Sequence, residues 1–490
     1  MMRSMYSGVS GLKNHQTRMD VIGNNISNVN TAGYKKSRVV FKDSLYQRLK
    51  GATGATDSRG GTNSMGVGLG MAISSIDQIH TAAPTTTTNR LTDMAVDGNG
   101  YFVLENGNQL YFTRAGNFDF DENGALTNVS NGYSVQGWIT DQSEDPSSGD
   151  WTINTNADMQ AIDISGFKKC NAKATSTMDV TANLCTDMEI PQFGTPLTNI
   201  DPTNSTQYPE ADDDTLIVSK EVVDSVGRSV KVYMRFFKTG VTAGPPELTN
   251  WACDVSLNST FEQAAGYDEA SDFTAVDLST ATQDTPVTGD LGLESGTNLV
   301  RLYNLQFDTD GQIPDPENTP WLSQVQLAIE RNDTEPVDGA MANTIDFTLD
   351  LNSLTQYASQ SNGTAVQNGY QDGSLIGYNV GTDGVIKGLY SNGETKSLAR
   401  VALATFENPG GMTQVGGTIF QESSNSGARS ITPPGESGKG DIVPSSLEMS
   451  NVDLAEELTD MIVTERGFQA NSRIITTSDE MIQELVNLKR

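Results

Sequence analysis

The chain has 490 residues, a hydrophobic fraction of 36% and a formal net charge of −31, with a pI near 4.3. Such a length suggests about two to four domains, and the apolar content is enough for packed cores rather than wholesale disorder. The acidic balance argues against nucleic-acid binding, which needs Lys and Arg for phosphate contacts, and against docking on an anionic membrane.

The charge is unevenly placed. Residues 1–50 carry nine basic and two acidic side chains, residues 447–490 carry four basic and nine acidic, and the middle holds the remaining acid excess. Ends of opposite sign attract, while the acidic middle reads as a solvated, self-repelling surface. No run of about 18 apolar residues exists, so no membrane insertion is expected. The opening MMRSMYSGVSGL lacks the continuous apolar core of a secretory signal, so no cleaved signal peptide is expected. Cys170, Cys185 and Cys253 form neither a disulfide framework nor a zinc site by number or spacing, and are read as unpaired thiols.

In chain order, residues 1–31 come first with a helical pattern. Met5, Leu12, Met19 and Ile26 fall seven apart; Met2, Val9, Gln16 and Gly23 form a companion row in which Ile22 takes over from Gly23. This spacing predicts an amphipathic helix. It ends in an Asn-rich cluster (Asn24, Asn25, Asn28, Asn30) closed by Gly33, residue types that favour turns and left-handed backbone. From Tyr34 to Gly70 a basic patch (Lys35, Lys36, Arg38, Lys42) gives way to a Gly/Ser/Thr-rich run that reads as an extended arm. Gly66-Val-Gly-Leu-Gly70 lacks the spacing of a dinucleotide loop.

Residues 71–141 read as β-structure, with Asn106-Gly107 and Asn123-Gly124 predicting type I′ hairpins. Asp119, Asp121 and Asn123 imitate the start of a calcium loop, but its twelfth position is Ser130 where a bidentate Glu is needed. Residues 142–354 are the most acidic and predict one or two β-domains, with strands such as 215–219, 229–237, 251–257 and 299–307 and turns at Asp224–Gly227 and Asp310-Gly311. After Asn362-Gly363 the hairpin style returns. Pro433 to Gly440 imitates a P-loop, but Pro433 and Gly440 stand where Gly and Ser/Thr are required.

The last stretch gives Leu447, Leu454, Met461, Phe468, Ile475 and Ile482 in steps of seven, flanked in part by Leu458, Ile462, Leu485 and Val486. Past Ser446 there is no proline, and Gly467 is the single glycine. This is coiled-coil logic. Roughly 38 helical residues would form a rod of roughly 55–60 Å, which needs a partner helix. The N-terminal helix supplies one, yet its roughly 25 residues cannot cover the whole seam, so the surplus is expected to meet other copies. Ser445-x-x-Glu448 and Ser450-x-x-Asp453 are alternative caps for this helix.

The order helix, arm, β, inserted β, β, arm, helix implies domains inserted one within another, with both termini at one end. The expected fold class is multi-domain α+β: coiled-coil-like terminal helices plus nested, mainly β domains of barrel or sandwich type. The expected domains are a helical pair (1–30 and 451–490), a connecting arm (31–70 and 430–450), a first β domain (71–141 and 355–429) and an acidic outer insert (142–354). His15 and His80 are the two histidines, and neither sits in a catalytic motif, so no enzymatic activity, cofactor or metal is expected.

Several stretches together are similar to a known family. Ser4-Met-Tyr-Ser-Gly-Val-Ser-Gly-Leu and Met19-Asp-Val-Ile-Gly-Asn-Asn-Ile-Ser-Asn-Val-Asn-Thr-x-Gly-Tyr-Lys resemble the N-terminal signature of bacterial flagellar rod and hook proteins. Ser450-Asn-Val-Asp-Leu-Ala-Glu-Glu-Leu and Arg466-Gly-Phe-Gln-Ala-Asn-Ser-Arg resemble the C-terminal one. Leu91–Phe102, Tyr111–Phe118 and Val380–Gly410 resemble the first shared β-domain. The large insert is like that of the hook members. The resemblance implies a structural subunit exported through the flagellar secretion channel without a cleaved signal. It implies self-assembly into a curved, flexible helical tube outside the cell that joins rod to filament, transmits torque and encloses the export channel. The implied partners are further copies of the chain, the rod, the hook cap and hook–filament junction proteins, and the export apparatus. The expected assembly residues are Met5, Val9, Leu12, Met19, Ile22, Ile26, Leu447, Leu454, Leu458, Met461, Phe468, Ile475 and Ile482. In free subunits both ends are expected to be disordered, because isolated helices are marginal in water. The rivals are a distal rod or hook-associated subunit, and a secreted β-rich adhesin or hydrolase on a stalk.

Overall fold

The computed structural model describes residues 2–55, 57, 59–143, 150–190, 214–242, 248–257, 261, 273–277, 293–296, 299–307, 310–313, 325–331, 344–436 and 438–488. The chain forms two compact units: residues 1–168, 377–389 and 395–490 make the first, and residues 169–376 and 390–394 the second.

The first unit contains both long helices, α1 (Met2–Ser27) and α2 (Leu454–Asn487). Asp453 caps α2 by accepting from the amides of Ala455 and Glu456. Neither expected serine does so: Ser450 accepts from Val452 N instead, and Ser445 stands next to a strand, nine residues before the helix begins. The predicted seam starts too early for the same reason. Leu447 lies in the strand Ser446–Glu448, paired with Thr86, and is not helical.

The residues read as an arm are ladder-forming on both sides of the chain. Ser37–Asp43 pairs antiparallel with Met71–Gln78, and Tyr46–Lys50 with Met65–Gly68. Residues 430–448 are not a linker either: Ser430–Thr432 pairs with Leu403–Thr405, Asp441–Pro444 with Met94–Asp97, and Ser446–Glu448 with Thr85–Thr87. Their apolar members find buried places there, Ile442 among them, and this docks a stretch that looks loop-like from its glycines and prolines.

The β body of this unit is built around Tyr101–Asn106, which lies between Gln109–Thr113 and Ser134–Ile139. Alternation sends Phe102 and Leu104 to one buried cluster with Met94, Val135, Val401 and Ile442. Tyr101 and Val103 go to another with Phe112, Trp138, Phe406 and Phe420. Covered on both faces, the strand reads as a continuous apolar run rather than an alternating one. The hairpin tips differ from the type I′ expectation. In the 106–109 loop Gly107 alone has positive φ (+65°), and Asp121–Gly124 is a turn with its left-handed residue at Gly124 (φ +93°), not at Asn123.

The second unit packs a five-stranded antiparallel sheet and a six-stranded sheet around one core. The first runs Leu216–Val223, Ser229–Thr242, Leu248–Ser256, Leu299–Phe307 and Leu293–Gly296. In the second, Thr177–Cys185 lies parallel to Thr344–Asp350 and Leu354–Tyr357 and antiparallel to Asn362–Gln367. Trp251, Phe236, Phe307, Met178 and Leu349 fill the space between them. This is a sandwich: no sheet among the described strands closes into a barrel.

The unit borders also fall elsewhere than the sequence suggests. Ile162 packs in a core of the first unit and Trp151 lies against Phe167, which carries that unit past 141 to Lys168. Leu354 and Ala365 belong to the second core, so residues 355–376 fall in the inserted unit. The predicted turn at Asp224 is present, with Gly227 N donating to Asp224 O.

Candidate assembly surface

α1 and α2 lie side by side and run antiparallel. A Cβ on Gly8 would sit 3.1 Å from Ile475, one on Gly11 2.6 Å from the Asn471 side chain, and one on Gly467 2.8 Å from the His15 ring. Arg18 pairs with Asp460 at 2.8 Å, and Asn25 donates to Glu457 at 3.2 Å. The opposite charges expected at the two ends thus meet, at Arg18–Asp460 and again at Lys36–Glu456. Glycine suits these crossings because an added Cβ would run into the facing Ile475, Asn471 and His15 side chains.

The residues buried against α1 are not the predicted apolar row. They are Glu457, Thr464 and Ser478, with Asn471 between them: a polar row at heptad spacing. Met461, Ile475 and Ile482 line its edge as half-buried residues. Leu454, Leu458, Ile462, Val463 and Phe468 are exposed, with Ile462 at 58%. On α1, Ile22 is buried, Met5, Leu12, Met19 and Ile26 are half-buried, and Val9 is exposed. The helix pair therefore turns its small and polar residues inward and much of its apolar surface outward.

By the same register the start of α1 falls near residue 480, leaving Met481, Ile482, Leu485 and Val486 beyond it. That overhang of about seven residues is roughly 10 Å of helix. Sequence reasoning finds a surplus but leaves its place open; the surplus lies at the C-terminal end.

The Asn-rich turn sets the angle between α1 and the body. Asn25 is buried, and its carboxamide takes both backbone groups of Ser37: Nδ2 donates to the carbonyl at 2.8 Å and Oδ1 accepts from the amide at 3.0 Å. Oδ1 also accepts from Tyr34 OH. Asn24 donates to Tyr34 OH, Asn28 folds back onto Asn24, and Asn30 is exposed. Gly33 (φ +68°) donates to Glu448 O, and a Cβ there would lie 2.5 Å from Ala115 N.

Below this turn lies a buried charge cluster that sequence reasoning misses. Glu448 accepts from Lys35 Nζ at 2.7 Å and from Arg114 at 3.2 Å, and all three side chains are buried. Lys35 also donates to Thr81 O, and Arg114 to Val96 O and Gly98 O. Burial lowers the Lys35 pKa, and Glu448 works against that shift. Beside the cluster His80 bonds Tyr101 OH, and burial together with Lys35 and Arg114 lowers its pKa to about 4. The signal for this cluster was present in charged residues flanked by β-pattern, but three distant segments had to be brought together to read it.

Among the described residues no helix is long and apolar enough to cross a membrane, and no group of His, Cys, Asp or Glu side chains is placed to hold a metal ion.

Family models match along the chain. Residues 5–35 match a model described as flagella basal body rod protein, and 95–166 the flagellar hook protein FlgE/F/G D1 domain. Residues 183–370 match the flagellar basal body protein FlaE D2 domain, and 443–488 the flagellar basal body rod FlgEFG protein C-terminal. The flagellar hook protein FlgE of Borreliella burgdorferi is 40% identical, covering 100% of both chains. The chain belongs to the flagellar hook protein family. FlgE of Treponema pallidum is 36% identical over 100% of both chains. The basal-body rod protein FlgG of Bacillus subtilis is 26% identical, again over 100% of both. Within the hook family the terminal models cover both partners of the helix pair, α1 and α2.

Proposed function

We propose that the chain is a structural subunit that assembles with its own copies into the tube of the flagellar hook, outside the cell. The observation that carries this reading is the helix pair with a polar seam and outward-facing Leu458, Ile462, Val463 and Val486. Exposed apolar side chains near both ends of α2, Leu458, Ile462 and Val463 and then Met481, Leu485 and Val486, are surface that a further protein chain can cover. One face of a subunit meeting a different face of the next is a heterologous contact, which builds an open helix wherever its rotation does not close into a ring.

In this reading the helix pairs line the tube and enclose the export channel. Weak outer contacts let the tube bend while the inner helices stay continuous, giving a curved joint that transmits torque. The subunit would be exported without a cleaved signal, meet the rod at one end, and meet the hook cap and hook–filament junction proteins at the other. No catalytic step is assigned to it.

Electron microscopy of the purified, assembled protein tests this: curved tubes are expected. Straight tubes would favour a distal rod role, a reading that the full-length match to a rod protein keeps open. Protein that stays monomeric at every concentration would sink both. Amide exchange on monomers should find residues 2–27 and 454–487 poorly protected, since the apolar face has nothing to cover it.

A further inference from the structure

We propose that the Lys35–Glu448–Arg114 cluster is a closure lock: the first unit folds only when its C-terminal segment, residues 441–448, is in place. Glu448 lies 413 residues from Lys35 and 334 from Arg114 in sequence, yet one carboxylate serves both cations. Its Oε1 also accepts from Ala83 N, and its carbonyl from Gly33 N. Without it, closing the body would bury an ammonium and a guanidinium that lack a counterion. The carbonyls of Thr81, Val96 and Gly98 accept hydrogen bonds from the two cations but carry no charge to neutralise them. Stranding a buried charge in this way is strongly unfavourable, whereas the same cations in an open chain stay hydrated.

The strand pairings act in the same direction. Thr85–Thr87 and Met94–Asp97 find their ladder partners in Ser446–Glu448 and Asp441–Pro444. The anchor of α1 is tied in as well, since Gly33 and Lys35 both hold Glu448. A chain delivered from its N-terminus therefore leaves Thr85–Thr87 and Met94–Asp97 without these ladder partners until almost all of it has arrived. The lock sits in the β body and does not require α2.

The experiment is refolding of the full-length protein from urea with pulsed amide exchange read by mass spectrometry. Amides of Tyr101–Asn106 and Gln109–Thr113 are expected to gain protection in one kinetic phase with Asp441–Glu448. Protection of the 101–113 hairpin in an earlier phase would overturn the proposal. Glu448→Gln should slow that joint phase by about tenfold and leave the phase of Leu216–Ser256 unchanged. If it instead only speeds unfolding, the cluster is a structural contact formed late, and the lock is rejected. Should Glu448→Gln fail to refold, the triple variant Lys35→Met, Arg114→Met, Glu448→Leu decides. It is expected to fold with the 101–113 hairpin protected ahead of 441–448; a phase that stays joint would show that the charges do not impose the order.

Discussion

Between the two sheets of the second unit the buried residues are Trp251, Phe236, Phe307 and their apolar neighbours. Between α1 and α2 they are Gly8, Gly11, Ile22, Asn25, Glu457, Thr464 and Ser478, small or polar apart from Ile22, while Leu458, Ile462 and Val463 face outward. One interior is finished within a single subunit. The other keeps small and polar residues at its inner seam and leaves apolar side chains exposed, which in the proposed reading further copies cover. A buried polar row specifies alignment at a cost in stability, so the helix pair is well aligned but weak until its outer face is covered.

The largest effect should come from the finished core. Phe236→Ala is expected to cost about 3–5 kcal/mol in urea unfolding of the second unit, followed through Trp251 fluorescence. It should leave amide protection of the first unit as it was. A cost below about 1 kcal/mol would mean that this core is not the close-packed interior described.

Next comes the seam. Gly11→Val drives a branched side chain into Asn471 and should cost the helix pair about 1–3 kcal/mol. The reading is a raised protein concentration for tube formation, with urea unfolding of both β units unchanged. Tubes forming at the original concentration would contradict close packing at this crossing.

The outward face gives the sharpest contrast. Leu458→Asp with Ile462→Asp should move monomer stability by no more than about 0.5 kcal/mol, as exposed substitutions do. It should nevertheless abolish tubes in electron micrographs. Loss of monomer stability with tubes intact would reverse the roles of the two faces.

The smallest effect is a pH dependence. Burial raises the Glu457 pKa, while the Asn25 hydrogen bond and Lys36 oppose the shift; Glu456 and Asp460 reinforce it. A carboxyl whose folded pKa is raised binds more protons folded than unfolded. Helix docking should therefore weaken as pH rises from the ordinary Glu value near 4.5 through the raised folded value, and level off above it. Glu457→Gln should flatten that slope in pH-dependent amide exchange of α2, and an unchanged slope would remove Glu457 from the account.

Much of the fold was legible because its signals are local. Heptad spacing located both helices, and the Asp224–Gly227 turn and the alternating strands of the second unit follow from two-residue periodicity. What the sequence hid is non-local. Residues 430–448 look like a linker because Pro433, Pro434 and Gly435 dominate the local pattern, but three strands far away supply ladder partners. The apolar heptad drew attention to Leu454 and Phe468, whereas the pair closes on the row at Glu457, Thr464, Asn471 and Ser478. That row has the same period and was visible in principle. It does not stand out because apolar residues are usually the ones that face a partner helix, and here a polar row does so instead.

The antiparallel register has a practical side. Since the start of α1 falls near residue 480, a peptide tag or fluorophore at either terminus crowds the same end of the pair and the same overhang. The exposed hairpin tip at Asn108 is the better place to attach a label, beside Gly107 rather than on it, because the φ of +65° at Gly107 suits glycine alone.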